Sequence, residues 1–252
     1  MFNVRHREIL ALIQVRQTWA QFAGSAEVDT FEKSMLLAKK FIIASFSNIL
    51  FVRNCFDEQD YAKKVLNGER RVPLRILSSK STNPEAKKFA NQLSGALDAL
   101  EKKYLRKIKM VICLDPEQPD QAHEIYTIKV SYPEGMVGVI GLSEVKKSTT
   151  SLLYNTLLMT EGLDPLPETA YLGLILDYNE DTPDDYEPPS FENYSRDLVP
   201  PEGTRRVRVG RASTNFHSLE LKMSARPGVN QSPGHDYQQQ ETSQGSQSHV
   251  IP

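Results

Sequence analysis

The residue types that most often carry chemistry are present in this chain, but their spacing does not assemble them. Five histidines, His6, His123, His217, His235 and His249, are dispersed, and no two stand at the i,i+4 spacing that turns a pair of imidazoles toward one zinc ion. Cys55 and Cys113 lie far apart, form neither a metal-binding spacing nor a disulfide framework, and point to a reducing compartment. Gly135, Gly138 and Gly141 stand in GMVGVIG, which lacks the Lys-Ser/Thr of a phosphate loop and the dinucleotide glycine spacing, so it reads as a connection between elements. No Gly-x-Ser-x-Gly nucleophile elbow occurs. Glu180, Asp181, Asp184, Asp185 and Glu187 crowd beside prolines, but the turn glycines of a calcium loop are missing and the stretch reads as a solvated acidic loop. No residue is assigned to catalysis, and neither metal nor cofactor is expected.

Two further patterns concern partners. Arg205, Arg206, Arg208 and Arg211 interleave with Val207 and Val209, so on a strand Arg206 and Arg208 share one face. They read first as the charged outer face of an edge strand, which discourages aggregation, and second as a contact for an acidic partner or DNA phosphate. Ser243 and Ser246 each precede glutamine in a Ser/Gln-rich tail, which makes them candidate phosphosites whose added charge would alter a docking event.

The 252 residues are 39% hydrophobic and 25% charged, enough for a real core, and the net charge of −2 supplies no bulk attraction to nucleic acid or an anionic membrane. No window of 18 uninterrupted apolar residues suggests a membrane span. Residues 1–28, with Arg5, Arg7 and Arg16 interrupted by Glu8, are expected as an N-terminal extension, a docking or partly ordered helix rather than a targeting peptide. Residues 31–53 are apolar around nearly the whole helical circumference and predict a buried central helix. A shorter helix is expected over 56–66, closed by Asn67-Gly68. Residues 69–80 are ambiguous, because Pro73 argues against a central strand. Asn83-Pro84 opens an amphipathic helix, and the period then switches from 3.6 to 2. Strands are expected over 108–114 and 125–132 as an antiparallel hairpin, a third helix over 148–161, and a third strand over 171–178. A long Pro-rich excursion follows, ending in strand-like alternation at Leu219, Leu221 and Met223. Residues 225–252 hold too little aliphatic surface to order. The architecture is α+β, an antiparallel sheet packed on about three helices.

The segments DALEKKYLRK, GLDPLPETAYLGLILDYNEDTPDDYEPPSF and VGRASTNFHSLELKM together resemble the HORMA-domain family, specifically its meiotic chromosome-axis branch, over about residues 29–224. The resemblance implies a HORMA fold whose C-terminal part, about 180–224, is a safety belt that closes over a short peptide, the closure motif. That peptide adds as a strand to a sheet edge. Carried onto this chain, the strand bearing Tyr171, Leu172, Leu174 and Leu176 receives the peptide. Residues 182–204 form the flexible belt, and 207–223 its terminal hairpin, with Ser213, Thr214, Phe216 and His217 near the bend. Phe216 and Leu219 are expected to anchor the belt to the core ahead of touching ligand. Implied partners are closure-motif peptides of axis proteins or of its own family, and an AAA+ remodelling ATPase that engages the N-terminus. The connector from Phe191 to Arg205 is short for this branch. Ser248, His249, Val250, Ile251 and Pro252 are a candidate closure motif of the chain's own. The resemblance implies a nuclear, chromosomal location, with any association with chromatin indirect. The runner-up readings are a spindle-checkpoint, DNA-repair or autophagy adaptor, and a direct DNA-binding axis protein.

Overall fold

Thr30 starts the longest helix by accepting a hydrogen bond from the Lys33 N–H, and the left-handed Asn54 (φ 57°) turns the chain away at its end. In the computed structural model, residues 15–67, 71–133, 139–167, 169–192, 198–200 and 203–226 are described. The expectations placed on residues 1–14, on the glycines 135 and 138, and on the tail beyond Arg226 with Ser243 and Ser246 lie outside them. The elements are β1 (Val15–Gln17), α1 (Trp19–Ala23), α2 (Phe31–Val52), β2 (Tyr61–Asn67), β3 (Arg71–Leu77), α3 (Pro84–Glu101), β4 (Leu105–Cys113), β5 (Ala122–Ser131), α4 (Leu142–Glu161), β6 (Tyr171–Tyr178), β7 (Arg205–Ser213) and β8 (Ser218–Ala225).

Five strands form an antiparallel sheet in the order β6-β4-β5-β8-β7. One face is apolar at alternate positions: Ile108 and Met110 of β4, Tyr126 and Ile128 of β5, and Leu219 and Leu221 of β8 join the helices in a single core. α2 runs through that core, with Phe41, Ile42, Phe46, Ile49 and Leu50 fully buried. This helix is long and apolar enough to cross a membrane, yet two thirds of its most apolar window is buried inside the protein, as a central helix requires.

The helix expected over 56–66 is instead a 3-10 turn, Glu58–Asp60, followed by β2, which pairs antiparallel with β3 and parallel with β1. Register decides the matter: Tyr61 stands opposite Leu77 and Leu66 opposite Val72, burying all four, which a helix over the same residues would scatter. Pro73 is tolerated because β3 is an edge strand of this three-stranded sheet, and the Arg75 N–H donates to Asn48 Oδ1 of α2 at 2.7 Å. Within the described part of the N-terminal extension, residues 15–28, a docking helix is present. A capping box at Thr18 starts α1, whose Trp19 and Phe22 are buried, so the described part of the extension packs onto the domain. α4 begins at Leu142, ahead of the expected 148, because Val145 already reaches the core. Ala225, placed in the tail by composition, is the last residue of β8.

Candidate functional site

Among the described residues β6 pairs only with β4, from Cys113↔Tyr171 to Leu105↔Tyr178, so its other side is a free sheet edge whose backbone N–H and C=O groups no described strand claims. The pairing fixes what each side chain faces. Leu172, Leu174 and Leu176 stand beside Ile112, Met110 and Ile108 on the helical face, partly buried; Tyr171, Gly173 and Ile175 stand beside Cys113, Val111 and Lys109 on the outer face. α3 lies alongside, and a groove of about 950 Å³ runs between them. Its helical side is walled by Lys87, Lys88, Asn91 and Phe191, and its outer side is rimmed by Pro116 and Pro119.

The segment after β6 closes around this edge. Asn179 leaves β6 with its N–H donating to Tyr104 O and its Nδ2 to Lys103 O. Tyr186 then docks on α3. Its hydroxyl donates to Asp98 Oδ2 at 2.7 Å, its ring meets Tyr104 and Tyr178 edge-on at 5.0 and 5.7 Å, and Lys102 Nζ lies over it at 4.8 Å. The Lys102 ammonium, with the Tyr186 hydroxyl second, holds the Asp98 carboxyl below the usual carboxylate range. At Gly95 the strap touches the helix so closely that a Cβ would fall on the Pro189 carbonyl oxygen. Further along, Leu198, like Ile175, packs against the cluster of Val111, Ala122 and Ile125 on the opposite face of the sheet. Val199 forms a parallel bridge there, donating to Asp120 O and accepting from the Ala122 N–H. The strap is therefore held on both faces of the sheet with the β6 edge between its two anchors.

β7 and β8 occupy the far side of the sheet, β8 pairing with β5. Their turn is pinned to α2. Ser34 Oγ lies 2.6 Å from both Thr214 Oγ1 and His217 Nδ1, and the Phe31 ring packs against His217 and Phe216 at 4.9 and 6.2 Å. Thr214 and His217 are buried, and burial, reinforced by Lys103, lowers the His217 pKa to about 4, so the imidazole is neutral. Ser213 closes the hairpin through Ser218 at 2.9 Å. Of the eight residues expected at the peptide, Tyr171, Leu172, Leu174 and Leu176 line or flank the free edge. Ser213, Thr214, Phe216 and His217 are clustered at the turn on the opposite side of the sheet. The structure does not bring the two sets together; the second set fixes the hairpin in place. Gly95, Asp98, Gly173 and Tyr186, which complete the site, carry no signal in residue type alone, though Asp98, Gly173 and Tyr186 lie in the family-like segments.

The arginine pattern resolves differently from simple alternation. The register shift between Arg208 and Gly210 sets Arg208 opposite Lys222 and Arg211 opposite Glu220, so both arginines share the outer face. Glu220 accepts from Arg211 at 2.7 Å and pairs with Lys222 at 3.0 Å. Burial pushes its carboxyl up, but the Arg211 and Lys222 hydrogen bonds outweigh it and hold the pKa down. Beneath the site, Arg53 forks onto Glu124 through Nε and Nη2 (3.1 and 2.5 Å) and donates to Asp164 O at 2.7 Å, tying α2, β5 and the loop before β6 together.

A HORMA domain family model matches residues 34–217. The bovine HORMA domain-containing protein 2 is 30% identical over 227 residues, covering 84% of this chain and 73% of that protein. The HORMA domain-containing protein 1 of Xenopus laevis is 30% identical over 211 residues, 79% of this chain, and the chain spans only 54% of its length. Among solved structures, C. elegans HTP-2 bound to the HIM-3 closure motif matches with a TM-score of 0.75 over 84% of this chain and 97% of that one. At 20% identity, that likeness is one of fold.

Proposed function

The chain belongs to the HORMA domain family, and from that premise we propose that it is a non-enzymatic adaptor of the meiotic chromosome axis that captures closure-motif peptides at the β6 edge. The observation that carries the proposal is the free edge enclosed between the two strap anchors, at Tyr186 on α3 and at Val199 on the outer face. A peptide laid along β6 gains main-chain hydrogen bonds from the edge and side-chain selectivity from the groove. The strap then slows its release, because its anchors must detach first. The relatives are HORMA domain-containing proteins, and the fold neighbour HTP-2 is bound to a closure motif, which supports the reading.

On this reading the protein works in the nucleus on meiotic chromosomes, in synapsis, recombination and checkpoint control. An AAA+ ATPase pulling on the N-terminus supplies a release route. Force there would strip β1 from β2 and unseat Trp19 and Phe22, and it would then reach α2, whose first turns hold the hairpin through Phe31 and Ser34. The test is affinity capture from meiotic tissue with the full chain and with Tyr186→Ala, followed by mapping of each captured protein to its retained segment. Axis proteins held through one short segment by wild type and shed by the variant are expected. Recovery of spindle-checkpoint, repair or autophagy factors in their place would overturn the meiotic assignment.

A further inference from the structure

Gly173 is an anomaly in β6. Glycine weakens a strand, because it forfeits backbone entropy and offers no side chain to pack. Among the described residues nothing calls for it: its φ lies outside the left-handed range, and a Cβ at this position would meet no described atom within 4 Å. No described residue fills the space directly over it, yet its surroundings are not featureless. Val111 lies directly across on β4, Tyr171 and Ile175 flank it two residues away on the same face, and Pro116 and Pro119 rim the groove beyond. Tyr171 is one of the few large hydrophobic residues left exposed, at 43%. The result is an apolar notch cut into the outer face of the edge strand.

A strand added to β6 sets one residue opposite Gly173, with its side chain on the outer face and directed across the glycine. We propose that the captured peptide carries a large aromatic side chain at that position, lying across Gly173 against Tyr171 and Ile175, where Leu198 already packs on neighbouring Val111. This deepens the peptide-capture reading and rests on it. Aromatic residues laid over a strand glycine restore the packing that the glycine omits. The inner-face positions of the same peptide meet different surroundings, Leu172 and Leu174 under the wall of Lys88, Asn91 and Phe191. The aromatic requirement therefore falls on one position and one face.

The experiment is selection of displayed random peptides, each longer than the eight-residue strand, against the full-length wild type, Gly173→Val and Gly173→Ala. Wild type should enrich peptides with Phe, Tyr or Trp at one position, and replacing that residue by alanine should weaken retention roughly tenfold or more. Gly173→Val should keep or raise the wild-type melting temperature, because its side chain meets no described atom and valine favours a strand, and it should shift the preference at that one position to Gly, Ala or Ser. Gly173→Ala should fall between and carries the test if the valine variant is poorly behaved. Enriched peptides with no aromatic preference, or an unchanged preference in both variants, would overturn the notch assignment while leaving peptide capture standing. If wild type enriched no peptide over a Tyr186→Ala control, the capture reading would fall and this inference with it.

Discussion

Replacing Gly95 by alanine separates the strap from the rest of the protein. Inside α3 the change alone stabilises the helix by about 1 kcal/mol, because alanine loses less backbone entropy than glycine. The new methyl, however, comes within 2.0 Å of the Pro189 carbonyl oxygen, and the helix backbone cannot yield, so the strap must lift. Lifting it strains or breaks the Tyr186 anchor. The hydrogen bond to the Asp98 carboxylate, whose side chain is 32% exposed, is taken at the low end for a charged acceptor, about 1.5 kcal/mol. The ring contacts with Tyr104 and Tyr178 add about 1 kcal/mol. A loss of about 2.5 kcal/mol shifts the strap's closing equilibrium roughly 60-fold toward open. Two measurements read the two effects. Thermal or chemical denaturation should give a domain as stable as wild type or slightly more so, while the dissociation rate of a bound peptide, followed by interferometry, should rise by one to two orders of magnitude. Unchanged dissociation would mean that the strap does not restrain the peptide. A parallel fall in global stability would mean that the strap is part of the cooperative fold, and the reasoning would fail.

Three further outcomes are expected. Glu124→Gln or Arg53→Met leaves one partner of a buried, forked ion pair uncompensated and should cost about 3–5 kcal/mol in urea denaturation, against a far smaller change for surface pairs such as Lys63–Glu58. The His217 pKa lies near 4 in the folded hairpin and near 6.5 when released, so the released form binds more protons between those values. Anchorage of the turn is thus full above about pH 6.5 and declines toward pH 4; corrected amide exchange of Leu219 and Leu221 should quicken at pH 5, and His217→Gln should remove that dependence. Phe31→Ala, which strips the ring from Phe216 and His217, should speed the same exchange at neutral pH, with an unchanged peptide preference at the β6 edge.

The long-period signals were legible and the short-range ones were not. α2 and α3 announce themselves because their apolar faces repeat over five or six turns and their starts carry Thr30 and Asn83 as caps. β6 reads as a strand from its alternation, and the family-like segments around it point to the edge. By contrast, β2 and β3 were obscured because their identity is set by pairing with each other, with β1 and with Asn48, information that lies in no single window. The site was half legible for the same reason. Leucine alternation marked β6, whereas Gly95, Asp98 and Tyr186 acquire meaning only when the strap is laid on α3. The hairpin residues follow from the family resemblance, but sheet order, not sequence distance, puts them on the other side of the molecule.

The strap, with its ends fixed on opposite faces of the sheet, makes a loop that is closed by covalent chain on one side and by the β4 and β5 ladders on the other. A ligand inside such a loop is held by enclosure as well as by contact. It need not offer a free end, so an internal stretch of a long protein serves as well as a terminus, provided the loop opens once to admit it. Once closed, occupancy no longer tracks the concentration of free protein on short timescales. If the proposed peptide capture holds, the number of copies retained on a scaffold is set by how many docking segments the scaffold carries, and the groove becomes a means of counting.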